Sequence, residues 1–304
     1  MALNNPAFNN PAFQDPKAGK AYPTNTPPAP YGTQTQTASA QHATVNAAAN
    51  AQLEGAFAAP PAGAVETGRM TIEDTVWKTV GLFAILVVAA VAGWIWTMAP
   101  VASTGQPTLL PWIIGALGGF VLAMVVIFTS RKKIRPALIF AYAAFEGLFV
   151  GGISAFFEIR WEGIVLQATL ATLAVVGVTL ALFASGKIRA SKKATKIFMV
   201  AMFGYLAFSL LNLILMWTGV VPDAFGIGSQ PSPLFGIPWG VLIGVLVVIM
   251  AAYSLVLDFD QIQQGVRNGA PRQFAWLGAF GIMVTVVWLY LEILRIIAIA
   301  RGSN

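Results

Sequence analysis

The chain has no cysteine, one histidine and few charges of either sign, with 12 Asp and Glu and 18 Lys and Arg among 304 residues. Without cysteine, disulfides and thiolate metal sites are excluded, and His42 alone cannot build a zinc or haem centre, which draws on several such ligands. Charged residues make up 10% of the sequence and hydrophobic ones 57%. That is too little polar surface for a soluble globule. A mean hydropathy of +0.72 places the chain in a bilayer. Also missing are Gly-x-Ser-x-Gly, His-Glu-x-x-His, a phosphate loop and a His paired with a nucleophile, so the sequence is not expected to be an enzyme. The Gly-x-Gly-Asp signature of intramembrane aspartyl proteolysis is absent too. The net charge of +6 does not point to nucleic acid, because the basic residues fall in short clusters between apolar runs, the pattern that sets membrane topology.

Residues 1–68 differ in kind from the rest. They are rich in Ala, Asn, Pro, Gln and Thr, and hold too little apolar surface to offset the entropy of ordering. The reading is a disordered cytoplasmic arm ahead of a membrane domain at 69–304. The arm opens with Asn4-Asn5-Pro6-Ala7-Phe8 and repeats it as Asn9-Asn10-Pro11-Ala12-Phe13. This is either a biased linker or a docking motif for a membrane protein partner. No basic flank and apolar core mark a secretory signal peptide at the N-terminus.

What is present in quantity is apolar runs. Thr71-Ile72-Glu73-Asp74 sets a hydroxyl three residues before an acid, a helix start signal. Seven segments near the roughly 20 residues needed to cross a bilayer follow, at 79–98, 109–129, 137–157, 163–184, 197–217, 238–259 and 274–298. The expected fold is therefore an all-α integral membrane bundle of seven transmembrane helices. The third and fourth segments are divided only by Glu158-Ile-Arg160-Trp161-Glu162-Gly163, a charged tight turn. Lys17, Lys20, Arg69, Lys78, Arg131, Lys132, Lys133, Arg135, Lys187, Arg189, Lys192, Lys193, Lys196, Arg267 and Arg272 all fall on one side. Only Arg160 and Arg301 fall on the other, with Arg295 in or at the end of the last span. The positive-inside rule then gives a cytoplasmic N-terminus and an external C-terminus. Trp94, Trp96, Trp112, Trp161, Trp217 and Trp239 cluster near the external ends, as an interfacial belt does.

Acids at membrane depth are the functional lead, because hydrocarbon cannot hold an isolated charge. Asp258 ends the sixth apolar run, in Leu257-Asp258-Phe259-Asp260-Gln261-Ile262, and Asp260 follows as a second candidate acid. Glu146 lies ten residues beyond Pro136, roughly 15 Å along the third helix. Asp258 lies about 10 Å from the basic end of its helix if that helix runs to Gln264. Glu292 stands in the external half of the seventh span with Arg295 one turn on, where the pair can neutralise itself. Gly151, Gly152 and Ser154 give the third helix a small-residue face for close packing. Pro136, Pro222 and Pro238 fall where they start or break helices.

Asp258-x-x-Gln261-Ile262 after a long apolar helix, a last helix reading Trp288-Leu-Tyr-Leu-Glu-Ile-Leu-Arg295, and the glycine-rich run Glu146-Gly147-Leu-Phe-Val-Gly151-Gly152-Ile-Ser154 carry a resemblance. The chain resembles the Bax inhibitor (transmembrane Bax inhibitor motif) family, in its bacterial members, over about residues 70–300. The resemblance implies a pH-sensitive calcium leak in a bacterial plasma (inner) membrane. It implies a proton-sensitive pair of aspartates, one each on the sixth and seventh helices. Asp258 matches the first. Counting back ten residues from Arg295 places Thr285 at the second, whereas aligning on Leu-Tyr-Leu-acid chooses Glu292. The first registration is preferred, since Glu292 lies about two turns further out. Glu146, at overlapping depth, is then the acid nominated to pair with Asp258 and to share calcium with it. Two carboxylates within about 4 to 6 Å titrate in coupled steps, and a hard cation prefers their oxygens. No cofactor is expected beyond calcium as a bound or transported ion. The alternative is a non-conducting regulator that binds another membrane protein, such as a quality-control protease.

Overall fold

The computed structural model describes residues 68–233 and 236–302. The expected disordered arm, its Asn-Pro-Ala-Phe repeat and His42 lie outside the described residues. Seven helices are long and apolar enough to cross a membrane, and among the described residues there is no strand. They are α1 (Ile72–Met98), α2 (Leu110–Ser130), α3 (Pro136–Arg160), α4 (Ile164–Ala184), α5 (Lys192–Trp217), α6 (Trp239–Arg267) and α7 (Phe274–Gly302).

Their starts are chemically marked. Thr71 Oγ1 accepts from Asp74 N at 3.0 Å, and Ser191 Oγ accepts from Ala194 N at 3.2 Å, each satisfying an orphan amide of a first turn. Pro136 opens α3 and Pro238 caps α6, positions where a missing N–H costs nothing. The divide between α3 and α4 is as tight as its charges suggest. Gly163 turns with φ 76°, and the Glu158 carboxylate accepts from Gly163 N at 2.6 Å and Val165 N at 3.0 Å. A carboxylate at the positive end of α4 also suits its dipole. Several helices outrun the apolar segments read from sequence: α1 starts seven residues before position 79, and α6 continues to Arg267. Hydropathy marks the hydrocarbon portion of a helix, whereas backbone hydrogen bonding carries it on into the interface.

Small residues set the packing. A Cβ on Gly151 would collide with the carbonyl of Ala90 in α1, and one on Gly152 would stand 2.8 Å from Trp112 N in α2. Helix α3 is thereby held between α1 and α2 at backbone contact, as its small-residue face predicts. Helix α7 is the most buried of the seven and packs on α6, α1 and α4. Helix α5 is the opposite case, with Phe198 its one buried residue.

A short strap joins the start of α1 to the α6–α7 loop, two segments that carry no sequence periodicity. The three residues ahead of Thr71 form a short strap on the α6–α7 loop: Met70 N donates to Ala270 O at 2.7 Å and Arg272 N to Gly68 O at 2.8 Å. Met70 is buried, 1% exposed. Asp74 fastens the strap by accepting from Arg272 Nη2 at 2.9 Å and Lys78 Nζ at 2.5 Å. Its carboxylate raises the already high proton affinity of the Arg272 guanidinium.

Candidate functional site

Asp258 lies in the last third of α6, where Leu255, Val256, Leu257, Gln261 and Ile262 are buried as well. A helix buried on several faces is one held between neighbours, here α7 and α4. Asp258 is 1% exposed. Nine residues separate it from the helix end at Arg267, about 13 Å of rise. On α7, Thr285 lies eleven residues from the start at Phe274, about 16 Å in from the same side. The two meet: Thr285 Oγ1 donates to Asp258 Oδ2 at 2.6 Å inside the protein. A hydroxyl can donate to a carboxylate or accept from a carboxylic acid, so the contact serves either protonation state.

The position at which the resemblance implies a second acid is therefore occupied by Thr285, in the registration counted back from Arg295. Glu292 sits seven residues further along α7, about 10 Å away in rise, and has partners of its own. Arg295 Nη2 pairs with Glu292 Oε1, and Tyr205 of α5 donates to Glu292 Oε2 at 3.1 Å. This cluster ties the loosely packed α5 to the centre of the bundle. The Glu292 side chain is 5% exposed and that of Arg295 26%, so the ion pair is largely out of contact with lipid and neutralises itself.

Glu146, nominated from sequence as the partner of Asp258, has Tyr142 and α2 beside it. Its carboxylate is hydrogen-bonded by Tyr142 one turn earlier. It lies against α2, where a Cβ on Gly119 would stand 3.0 Å from Glu146 Oε2. Matched depth was the only basis for the pairing, and depth says nothing of the direction a side chain takes around its helix. Asp260, two residues from Asp258 and so on another face, accepts from Gln264 Nε2 at 2.6 Å. Gln261 is buried one turn beyond Asp258. Among the described residues no three His, Cys, Asp or Glu side chains come close enough to hold a metal ion.

Two hydroxyl contacts of the core were not legible from spacing. Ser154 Oγ and Tyr290 OH meet at 2.7 Å, joining α3 to α7, and Tyr205 reaches Glu292 from the middle of an apolar run. Each was visible only as a polar residue in a hydrophobic segment.

No curated protein and no solved structure matches the chain. A comparison with protein families matches residues 5–302 to Bax inhibitor 1 like. That match takes in most of the amino-terminal arm, which the resemblance carried by the helices had left outside. With seven membrane-spanning helices and a match over nearly its whole length, the chain belongs to the Bax inhibitor 1 like family.

Proposed function

We propose that the protein is a pH-sensitive cation leak, with calcium as cargo and Asp258 as the group that senses protons. The observation that supports this most is the buried hydrogen bond from Thr285 to Asp258. It joins α6 to α7 at Asp258, away from the neutralised pair of Glu292 with Arg295. Ionised, Asp258 attracts a hard cation; protonated, it carries no charge and that attraction is lost. Protons and calcium then compete for one carboxylate. Because a threonine stands where the resemblance implies a second aspartate, that position adds no proton of its own to the titration. The reading involves no covalent step and no cofactor.

The bias of basic residues to one side supports an N-terminus in the cytoplasm of a bacterial plasma membrane. A non-conducting regulator is the second reading, supported by the outer face of α5, where Ile197, Val200 and Leu211 are exposed to lipid or to a membrane protein partner. Calcium entry into liposomes carrying the purified protein, followed at graded pH, separates the two. Flux above that of protein-free liposomes supports the leak, and its absence at every pH removes that reading in favour of the regulator.

A further inference from the structure

A cavity of about 580 Å³ lies between α2, α5 and α7, with Ser254 of α6 on its wall. Ile127 of α2, Phe198, Met202 and Ser209 of α5, and Thr285 and Trp288 of α7 line it. The lining is mainly apolar. From Phe198 to Ser209 the cavity follows α5 for eleven residues, roughly 16 Å. It exists because α5 makes few contacts with the bundle beyond Phe198 and the tie from Tyr205 to Glu292.

Its end on the basic side of the membrane is framed by charge. Ile127 lies one turn before Arg131, and Phe198 lies two residues beyond Lys196. The four basic residues at 131–135 and the five at 187–196 are all exposed. Neither stretch contains an acid, and among the described residues none of the nine takes part in an ion pair. The second stretch, which runs from the α4–α5 connection into the first turns of α5, is also anchored in place. Arg189 Nη1 donates to Gln263 Oε1 of α6 at 2.9 Å, and Thr195 Oγ1 meets Tyr253 OH at 3.0 Å. An elongated apolar slot with a fixed cationic mouth at the interface is complementary to a molecule with an apolar chain and an anionic head. A second copy fits less well, since a parallel dimer through α5 would bring two such loops together.

We propose that this cavity binds an anionic phospholipid, one acyl chain lying along α5 and the head group held by the basic residues at 131–135, between α2 and α3, and at 187–196, in the α4–α5 connection and the first turns of α5. The site stands apart from the leak reading, although a bound chain covers Thr285 and so limits approach to Asp258 from this side.

Native mass spectrometry of the full chain, with phosphatidylglycerol or phosphatidylcholine of the same acyl chains added, tests the site without reference to flux. Phosphatidylglycerol adducts are expected to outlast phosphatidylcholine adducts as activation rises. The triple variant Lys192→Gln, Lys193→Gln, Lys196→Gln, on an exposed surface that leaves the fold alone, is expected to weaken the preference by on the order of fivefold per lysine. Met202→Trp, which fills the slot, is expected to lower retention of both lipids, while Arg301→Gln on the opposite side changes neither. Equal retention of the two lipids by the wild type, or a preference untouched by the triple variant, overturns the head-group site. Unchanged retention in Met202→Trp overturns the placement of the chain, and so does crosslinking of two copies through α5 in the presence of phosphatidylglycerol.

Discussion

Thr285 gives its hydroxyl to Oδ2 of Asp258 at 2.6 Å, with both side chains buried between α6 and α7. Thr285→Val keeps the volume and removes the donor. Leaving a buried hydrogen-bonding group without its partner costs about 1 to 3 kcal/mol. Thermal unfolding in detergent at neutral pH should show Thr285→Val destabilised by about 2 kcal/mol, and Thr285→Ser close to wild type.

Restoring an acid at the same place should change the form of the titration. In Thr285→Asp two carboxylates stand within hydrogen-bonding reach and share a proton, so they titrate in two coupled steps. Calcium flux against pH should follow a one-proton curve in the wild type and a broader two-step curve in the variant. A two-step wild-type curve would place a second acid, such as Glu146, in the same titration.

Arg295→Leu removes the partner of Glu292 and leaves only the Tyr205 hydrogen bond of those described above. Breaking a buried pair from one side costs about 3 to 5 kcal/mol, whereas removing both charges is much less damaging. Arg295→Leu should lower the unfolding temperature sharply, and Glu292→Gln combined with Arg295→Leu should recover most of the loss. The comparison is a double-mutant cycle read by thermal unfolding.

Gly151 packs on the carbonyl of Ala90 with no room for a Cβ. Gly151→Val therefore forces α3 away from α1, and overpacking of this kind costs about 1 to 3 kcal/mol or more. Gly177, with open space around it, is the control. Folded yield after detergent extraction should fall for Gly151→Val and hold for Gly177→Val.

The long-range order of the bundle was legible because two strong signals agree. Apolar runs near the length of a bilayer crossing set the number of helices, and the charged turn at 158–163 kept α3 and α4 apart. Thr71 and Pro136 marked their helix starts because caps act within one turn. At the candidate site, the registration that the resemblance implies, counted back from Arg295, picked out Thr285, and rise per residue set Glu292 two turns beyond. For Glu146 rise per residue gives depth alone, since helix depth fixes position along the membrane normal but leaves the rotation of each helix to packing. The strap of Met70 on Ala270 was hidden for a related reason: two short loop segments far apart in sequence carry no periodicity. The openness of α5 was hidden as well, because a lipid-facing run and a core-facing run have the same hydropathy.

The most direct test of Asp258 as the proton sensor is calcium flux into liposomes from pH 5 to pH 8, comparing wild type with Asp258→Asn. Asparagine is close in size and its carbonyl still accepts from Thr285, so the fold is retained while the titrating group is lost. Wild-type flux should fall as the pH is lowered through the titration of Asp258, and Asp258→Asn should give low flux with no dependence on pH. A variant that keeps the wild-type pH profile would contradict the account.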